Sequence, residues 1–465
     1  MGSDTILDRA QRAAFLALLA SSAVLTAVGP RKHPGVALAA LMVGAAAAIV
    51  ILRSRSSADC SLPKRFVLAG VGALLVFSAV LAPQSSSDVW MYATYGRMIE
   101  HRHVSPYTTT PAQILRADRQ AHRRPDEIIR RSAPRWRPVG AVYGPAFLGV
   151  SAIWMRVAGA HPTIARLGFQ GAAAAAVMLC LAVLARRRVS PAILAVVGAH
   201  PIVSGWVVNG GHADAVIALA LLLGAAAAED DRWRASAIWA GLAAGVKATA
   251  GLGVLGLVIW TARRHGWRRA AMTAALAGGV AIGPIAAVGG RAALRPLLAA
   301  RGYASRSSIW QFLGWFRHHP INPGSAPFVG AVALGSLWAL AVLARSRHRP
   351  ELRDGPWTAA TAMGAPLTAF LLVAPYVLPW YTFSAIPLLA RGRSAMANVV
   401  LVLATWQVFA YCYVPRRAGF ANGTFRAASQ WMGGFEAAAA IGLSVSAIVR
   451  LAAAKQTERV MPEPA

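Results

Sequence analysis

The chain has 465 residues, of which 57% are hydrophobic and only 14% are charged. Soluble domains carry roughly a quarter charged residues, so this composition excludes a soluble globular protein. The formal net charge of +30 comes from basic residues that lie mainly in short connections between apolar runs, as the positive-inside rule expects. Anionic lipid headgroups in the bilayer are therefore the expected partner of these residues, and nucleic acid is not.

Runs of about seventeen or more apolar residues predict membrane-spanning helices along most of the chain. We expect an all-α polytopic integral membrane protein with about 11–14 transmembrane helices. These helices would form a single transmembrane domain over residues 1–465. The predicted spans lie at about 13–29, 35–52, 66–82, 141–158, 163–185, 190–207, 213–228, 236–262, 270–289, 327–344, 356–374, 378–390, 395–413 and 435–453.

Two long connections interrupt the series of spans. Residues 83–140 contain DVWMYATYGRMIEHRHVSPY and then the arginine-rich tract ILRADRQAHRRPDEIIRRSAPRWRP, and residues 290–326 contain RGYASRSSIWQFLGWFRHHPINPG. Both are too polar to face lipid, and both mix aromatic residues with arginine, as helices at the membrane surface do. We therefore predict interfacial helices in the first long connection.

The distribution of arginine predicts the orientation of the chain. Arg9 and Arg12 favour a cytoplasmic N-terminus, and the basic segment 53–65 returns to the cytoplasm two crossings later. The third span then brings Asp88 to the outer face. Further along, the basic segments 186–188 and 263–269 cannot both be cytoplasmic if every apolar run crosses the membrane. We therefore expect one or two broken or re-entrant runs, with GVKATAGLG in the run 236–262 as the best candidate.

The chain has seventeen acidic residues, and most lie in the tails or beside arginines that explain them as salt-bridge partners. An ionisable group near the end of an apolar run is costly unless it is paired, and is therefore a functional candidate. Four acidic residues are left by this criterion: Asp88, Glu100, Asp214 and Glu436.

Asp88 follows the third apolar run, and Tyr92, Tyr95 and Arg97 follow it at helical spacing. A carboxylate there can accept a proton from an alcohol. The alternative is that Ser87 and Asp88 only cap an interfacial helix, because both residue types are preferred at helix N-termini. An aromatic belt at the membrane interface would equally explain the tyrosines.

The segment NGGHADAVIALALLLG places Asn209, His212 and Asp214 at the mouth of an apolar helix. Asp214 is a candidate for binding a sugar hydroxyl or orienting His212, and helix capping is the alternative. Lys247 is the only lysine inside an apolar run. Its ammonium group can neutralise a phosphate, unless the side chain only snorkels near a helix break.

A metal site is not predicted, and neither is a cofactor. His212 has no second histidine four residues further on, which weakens a zinc interpretation. The cysteines have neither metal-ligand spacing nor the spacing of a disulfide framework: Cys60, Cys180 and Cys412.

Three shorter segments combine proline, glycine and aromatic residues: VYGPAF at 142–147, GYASRSSIWQF at 302–312 and APYVLPWYTFSAIP at 374–387. Arg301 and Arg306, beside or within the second segment, are candidate ligands of a phosphate. Each segment alone is also explained as an interfacial anchor or a helix kink.

Taken in order, these segments resemble the motifs of GT-C glycosyltransferases over about residues 83 to 390. DVWMYATYGRMIEHRHVSPY resembles the first-loop segment, VYGPAF the YGP element, and NGGHADAVIALALLLG the NGHND segment with its leucine-rich helix. GVKATAGLGVLGLVIW resembles the helix with the K-x-x-A motif, and VLPWYTFSAIPLLA the late PWY span. The likeness is to actinobacterial polyprenol-phosphate-mannose-dependent α-mannosyltransferases of the lipomannan, lipoarabinomannan and phosphatidylinositol mannoside type, which implies a GT-C bundle.

The resemblance implies transfer of mannose, with inversion, from a polyprenyl-phosphate donor to a hydroxyl of a glycolipid or polysaccharide. The reaction would take place on the outer face of the plasma membrane, without a metal or a cofactor. Asp88 matches the general base, and Lys247, Arg301 and Arg306 are the candidate ligands of the donor phosphate. Ala213 stands where the family has asparagine, a departure that bears on the acceptor contacts. The implied sugar and acceptor ligands are Tyr92, Tyr107, Tyr143, Asn209, His212, Asp214, Trp380 and Tyr381.

Two other functions are open at this point. One is an arabinofuranosyltransferase that uses a decaprenyl-phosphate donor. The other belongs to a different class, a flippase or transporter of lipid-linked sugars, which would also need polar groups in broken helices. A transporter would not need a carboxylate at the outer face, so replacement of Asp88 by asparagine separates the two classes.

Overall fold

The computed structural model describes residues 2–29, 32–53, 62–299, 305, 308–319, 321–347, 358–390, 394–412 and 424–460. Within these ranges there is no β-strand, so the all-α prediction is confirmed. The α-helices, numbered here in chain order, are α1 (Gly2–Val28), α2 (Pro34–Arg53), α3 (Lys64–Val80), α4 (Asp88–Glu100), α5 (Pro111–Gln120), α6 (Glu127–Arg131), α7 (Pro145–Ala158), α8 (Pro162–Arg186), α9 (Pro191–Ala199), α10 (Asp214–Glu229), α11 (Trp233–Val246), α12 (Gly251–His265), α13 (Trp267–Pro284), α14 (Arg295–Ala299), α15 (Ile309–Phe316), α16 (Ala326–Arg347), α17 (Thr358–Val373), α18 (Ile386–Leu389), α19 (Ala395–Cys412) and α20 (Thr424–Val460).

Several of these helices can cross a membrane. In the described part of the chain, six segments are long and apolar enough, and they lie in α1, α2, α8, α16, α20 and α13 with the turns that follow it. α7, α17 and α19 are apolar but shorter. The prediction of a polytopic membrane protein is confirmed, and several predicted spans are shorter helices than the hydropathy of the sequence indicates.

The predicted break in the run 236–262 is confirmed. α11 ends at Val246, and Lys247 has an extended backbone with φ −150° and ψ 124°. A 3-10 turn, Ala248–Ala250, then leads into α12. Backbone that leaves the helical conformation in a membrane protein must lie against protein or a cavity, because lipid cannot satisfy its polar groups.

Two other predicted spans are interrupted by proline. The run 190–207 consists of α9, a non-helical His200 before Pro201, and a π-helical stretch, Val203–Val208. The prediction of a span at 378–390 is wrong, because this segment is a 3-10 turn, Pro379–Ser384, followed by the four-residue helix α18. Proline lacks the N–H that a continuous helix requires, so a hydrophobic segment with repeated prolines remains in short pieces.

The first long connection folds as a set of helices against the membrane bundle. α4 packs on α7, α6 and α8, with Met91, Tyr95 and Met98 in one apolar cluster and Val89 and Tyr92 in another. The crossing of α4 with α7 requires Gly96, because a β-carbon there would lie 2.3 Å from the carbonyl oxygen of Ser151. The first residue of α4, Asp88, is therefore carried by a helix that is anchored on both sides.

The arginine-rich tract of this connection is held by the salt bridges expected from the sequence. Arg97 pairs with Asp126 at 2.8 Å and Arg102 with Asp118 at 2.7 Å. Both carboxylates are almost fully buried, so these are ordered contacts and not flexible surface pairs. α5 also begins with a capping box between Thr110 and Gln113.

Candidate active site

A cavity of about 520 Å³ opens between the start of α4, the segment before α7, the α11–α12 break and the segment that follows α17. Its walls are largely apolar and aromatic, with a few polar groups, which is typical of a site for a small ligand. Five of the residues expected from the sequence line this cavity: Asp88, Tyr92, Tyr143, Lys247 and Tyr381.

Asp88 is the carboxylate in the cavity wall. Its side chain is 18% exposed, and Oδ2 lies 3.7 Å from Nδ1 of His212. Burial raises the pKa of Asp88 to about 6, although the positive charges of Lys247 and Arg135 act in the opposite direction. The side chain of Ser87 makes no capping hydrogen bond at this helix start. A carboxylate with a pKa near neutrality can both accept and release a proton under ordinary conditions.

His212 lies directly behind Asp88 and Tyr92. Its ring stacks on Trp380 with centroids 3.8 Å apart and planes inclined by 18°, and its Nδ1 lies 3.4 Å from the hydroxyl of Tyr92. The hydroxyls of Tyr92 and Tyr143 are 3.1 Å apart. His212 is fully buried, so this histidine fixes the back of the site and does not itself reach the cavity.

Lys247 is the cation in the cavity wall. Its Nζ donates to Oδ1 of Asp214 at 3.0 Å and lies 3.4 Å from the centroid of the Tyr381 ring. The hydroxyl of Ser384 lies 3.4 Å from the same carboxylate oxygen. Lys247 is 8% exposed and Asp214 is 2% exposed, so the pair is nearly excluded from water. The contact with Asp214 and Tyr381 excludes the interpretation of Lys247 as a snorkelling side chain.

The YGP element holds the broken helix that presents Lys247. The N–H of Gly144 donates to the carbonyl of Val246 at 3.0 Å, which satisfies backbone that the break exposes. A β-carbon at Gly144 would lie 1.6 Å from the carbonyl oxygen of Gly245, so only glycine allows this approach. The hydroxyl of Tyr107 donates to the carbonyl of Tyr143 at 2.8 Å and so supports the same segment.

We expect Gly144→Ala to lower turnover by roughly 10- to 10²-fold, since a displacement of about 1 Å within a site can cost about 10²-fold. The new methyl group would push α7 away from the α11–α12 break and move Lys247. Gly149→Ala in the same helix is the matched control, because a β-carbon there has no atom within 4 Å. The measurement is kcat of both purified variants, and equal rates would contradict this view of the segment.

The other expected site residues have different positions. Tyr107, Asn209, His212, Asp214 and Trp380 lie behind the cavity wall, and Asp214 also borders a small adjoining pocket with Thr249 and Ser384. Glu436, also expected from the sequence to be functional, accepts from the N–H of Ile309 at 2.9 Å and so supports the start of α15. The remaining two candidate phosphate ligands, Arg301 and Arg306, lie outside the described residues.

Asn209 holds the loop that leads to Asp88. Its Nδ2 lies 3.0 Å from the carbonyl of Ser78, 3.3 Å from that of Leu81 and 3.2 Å from that of Ala82. Its Oδ1 accepts from the N–H of Gln84 at 2.8 Å. The side chain of Asn209 is thus occupied by backbone at the end of α3, which argues against its predicted role as a sugar ligand.

Two polar residues of α8 complete this support and were missed from the sequence. Gln170 donates to the carbonyls of Leu81 and Asn209 at 2.9 and 2.8 Å. Arg166 donates to the carbonyls of Leu81 and Val80. Both residues stand in an apolar run. A polar side chain inside such a run indicates a polar partner, but the sequence does not show which partner it has.

We expect Asn209→Ala to lower the free energy of unfolding by about 1–3 kcal/mol, the cost of leaving buried backbone groups without partners. The exposed Asn398, whose side chain has no hydrogen bond in the described part of the chain, is the matched control as Asn398→Ala. Thermal unfolding of both variants in the same detergent measures the effect. An unfolding temperature of Asn209→Ala equal to that of Asn398→Ala would show that the contacts contribute nothing.

The sequence also missed aromatic residues at the cavity, and two of them form a ring pair. Trp136 and Tyr376 line it, with ring centroids 6.5 Å apart and an interplanar angle of 74°. Trp136 stands in the arginine-rich tract, where the surrounding charges obscured it. Tyr376 belongs to the segment APYVLPWYTFSAIP, which was expected to contribute to the site through Trp380 and Tyr381.

Comparison with known proteins identifies the family. The family model MptA_B, described as alpha-(1->6)-mannopyranosyltransferase, N-terminal domain, matches residues 10–264. The match covers more than half of the chain and includes Asp88, Tyr143, Asp214 and Lys247. Neither the curated proteins nor the solved structures gave a match. The chain belongs to the alpha-(1->6)-mannopyranosyltransferase family and is a membrane-embedded mannosyltransferase.

Proposed function

We propose that this protein transfers mannose from a polyprenyl-phosphate donor to a hydroxyl of a glycolipid or polysaccharide, on the outer face of the plasma membrane. The observation that carries the proposal is one cavity that presents a carboxylate, Asp88, and an ammonium group, Lys247, in an aromatic wall. A glycosyl transfer needs a base for the acceptor and positive charge for the leaving group. The cavity supplies both.

Asp88 acts as the general base of the transfer. As the acceptor oxygen attacks the anomeric carbon, its proton passes to the Asp88 carboxylate. The bond between the anomeric carbon and the phosphate oxygen breaks, and its electron pair remains on the phosphate. Attack opposite the leaving group inverts the anomeric carbon, so a β-linked donor gives an α-mannoside.

Lys247 receives part of the charge that develops on the phosphate. Asp214 holds the ammonium group at 3.0 Å and Tyr381 lies against it, so the cation is in place before the reaction starts. Groups placed in advance need no reorganisation in the transition state, and this makes them effective in a site with little water.

A lipid-linked donor is supported by the apolar part of the cavity. Leu298, Phe328, Phe370 and Leu378 line it, and Phe328 is 63% exposed and Leu298 51% exposed. Apolar side chains that line a cavity and are also open to the surroundings fit a hydrocarbon chain that leaves the site into the bilayer. A water-soluble nucleotide-sugar donor would have no use for this surface.

The family description favours mannose over arabinofuranose, and we adopt its α-(1→6) linkage for the product. The test is incubation of the purified, reconstituted protein with labelled polyprenyl-phosphate mannose and a mannoside acceptor, followed by linkage analysis of the product. Polyprenyl-phosphate arabinose in a parallel reaction tests the alternative sugar. Absence of transfer by folded protein from either donor would exclude a glycosyltransferase of this kind.

A transporter of lipid-linked sugars is separated from the enzyme by a second measurement. Proteoliposomes loaded with labelled polyprenyl-phosphate mannose report transbilayer movement without any acceptor. Movement that continues in Asp88→Asn, together with absence of transfer in the wild-type protein, would favour the transporter.

A further inference from the structure

The arginines of the first long connection differ in what they contact. Five of the ten are already occupied: Arg97 by Asp126, Arg102 by Asp118, Arg130 and Arg131 by Glu127, and Arg137 by backbone carbonyls. Arg135 has no carboxylate partner among the described residues. Its guanidinium lies 4.7 Å from the centroid of the Trp136 ring. This contact holds the guanidinium by a cation–π interaction, which does not neutralise its charge.

The contact with Trp136 places the Arg135 guanidinium next to the cavity wall. The indole is part of the cavity wall, and Arg135 lies over it, on the exposed side of the loop. The segment is rigid, because the N–H of Ala112 donates to the carbonyl of Arg137, and the N–H of Val139 to that of Trp136, both at 3.0 Å. The guanidinium is therefore held beside the cavity wall by a backbone that is already in position.

The charges around Asp88 leave little net positive charge at the site for an anionic ligand, apart from that of Arg135. Lys247 is paired with Asp214 at 3.0 Å, so this pair has almost no net charge. The other ionisable groups around the carboxylate are one histidine and three tyrosines, and all four are neutral when Asp88 is charged: His212, Tyr92, Tyr143 and Tyr381. The charge of Arg135 reaches Asp88, since it lowers the pKa of this carboxyl group against the effect of burial. Arg135 is thus the uncompensated positive charge at the site in the described part of the chain.

We propose that Arg135, held on Trp136, forms with Lys247 a phosphate-binding subsite at the cavity for the polyprenyl phosphate of the donor. The inference rests on the proposed function, because it assigns the group that binds its leaving phosphate. When the bond to the anomeric carbon breaks, its electron pair adds one negative charge to the phosphate. The planar guanidinium donates two N–H groups to the phosphate oxygens and keeps its own proton.

The test is direct binding of polyprenyl phosphate to the purified full-length protein, measured by native mass spectrometry in detergent. We expect Arg135→Gln to weaken this binding at least about tenfold, and Arg135→Lys to restore part of it, because lysine keeps the charge without the bidentate geometry. Arg116→Gln is the matched control. Arg116 is an exposed arginine of α5 in the same loop, and it does not line the cavity. Wild-type affinity in Arg135→Gln would overturn the proposal.

A competing phospholipid separates the two sources of phosphate. We expect phosphatidylglycerol to bind the wild type and Arg135→Gln equally. If instead the substitution weakens both ligands to the same extent, Arg135 is a contact for bilayer headgroups and the proposal fails. Arg135-dependent binding of polyprenyl phosphate by a wild-type protein that transfers no sugar would support the subsite and contradict the proposed function.

The pH profile of transfer gives a second readout that a purely structural role would not change. Removal of the Arg135 charge makes the Asp88 carboxylate less stable relative to its acid. The acidic limb of the profile should therefore move to higher pH in Arg135→Gln and stay in place in Arg116→Gln. An unmoved acidic limb in Arg135→Gln would contradict the proximity of this charge to the base.

Discussion

Asp88→Asn should lower kcat by roughly 10²- to 10⁴-fold, the usual contribution of a general base. The amide has almost the same shape as the carboxylate but cannot accept the proton of the acceptor hydroxyl. Binding of the donor should change little, because the phosphate contacts lie on other side chains. The measurement is single-turnover transfer with saturating polyprenyl-phosphate mannose, together with direct donor binding.

Glu100→Gln is the matched control for this substitution. Glu100 ends the helix that Asp88 begins, and its weak pair with Arg156 spans 3.9 Å. The substitution Glu100→Gln also converts a carboxylate to an amide in the same helix, but at a distance from the cavity. If Asp88→Asn retained the rate of Glu100→Gln, Asp88 would not be the base.

The pH dependence of the wild-type rate follows from the same residue. Burial raises the pKa of Asp88 to about 6, and only the ionised form is a base. The rate of transfer should therefore rise as pH increases through about 6 and reach a plateau above it. The acidic limb should be absent from the residual activity of Asp88→Asn, and its persistence there would assign the limb to another group.

Lys247→Met should lower kcat by roughly 10²- to 10³-fold, as expected when a group that stabilises transition-state charge is removed. The substitution also leaves the buried carboxylate of Asp214 without its partner, which costs about 3–5 kcal/mol of stability. A single variant therefore cannot separate catalysis from folding. The decisive protein is the double variant Asp214→Asn with Lys247→Met, in which neither side chain carries a charge.

The double variant should recover the thermal stability of the wild type but not its turnover. Thermal unfolding and kcat, both measured in the same detergent, give the two quantities for the wild type, for Lys247→Met and for the double variant. Recovery of turnover in the double variant would show that Lys247 only neutralises Asp214 and takes no part in the reaction.

Hydropathy predicted most helices of this fold. It predicted some of their interruptions and missed others. The break at Lys247 was predictable because a charged residue and several glycines interrupt one long apolar run. The segment 378–390 was misassigned because its apolar composition outweighed the prolines at 379 and 387. Average hydrophobicity measures whether a segment avoids water, and a segment buried against protein avoids water as well as one that faces lipid.

The residues of the candidate site were predictable where a single charged side chain stands out in an apolar sequence. They were less predictable where long-range contacts decide what a residue does. Asp88 and Lys247 stood out because charges are rare in such a chain. Asn209 had the right motif, but its partners are backbone atoms more than a hundred residues away, and sequence spacing contains no sign of them. Arg135 could not be distinguished from neighbouring arginines until their carboxylate partners were known.

The position of α7 has a mechanical consequence. One end of this helix is bonded to the backbone beside Lys247 through Gly144, while its middle is pressed against α4 at Gly96, and α4 begins with Asp88. Asp88 and Lys247 are thus both positioned through the same helix. A tilt of α7 in response to a thicker or thinner bilayer would therefore move both residues in the same direction, and we expect the spacing between Asp88 and Lys247 to change little.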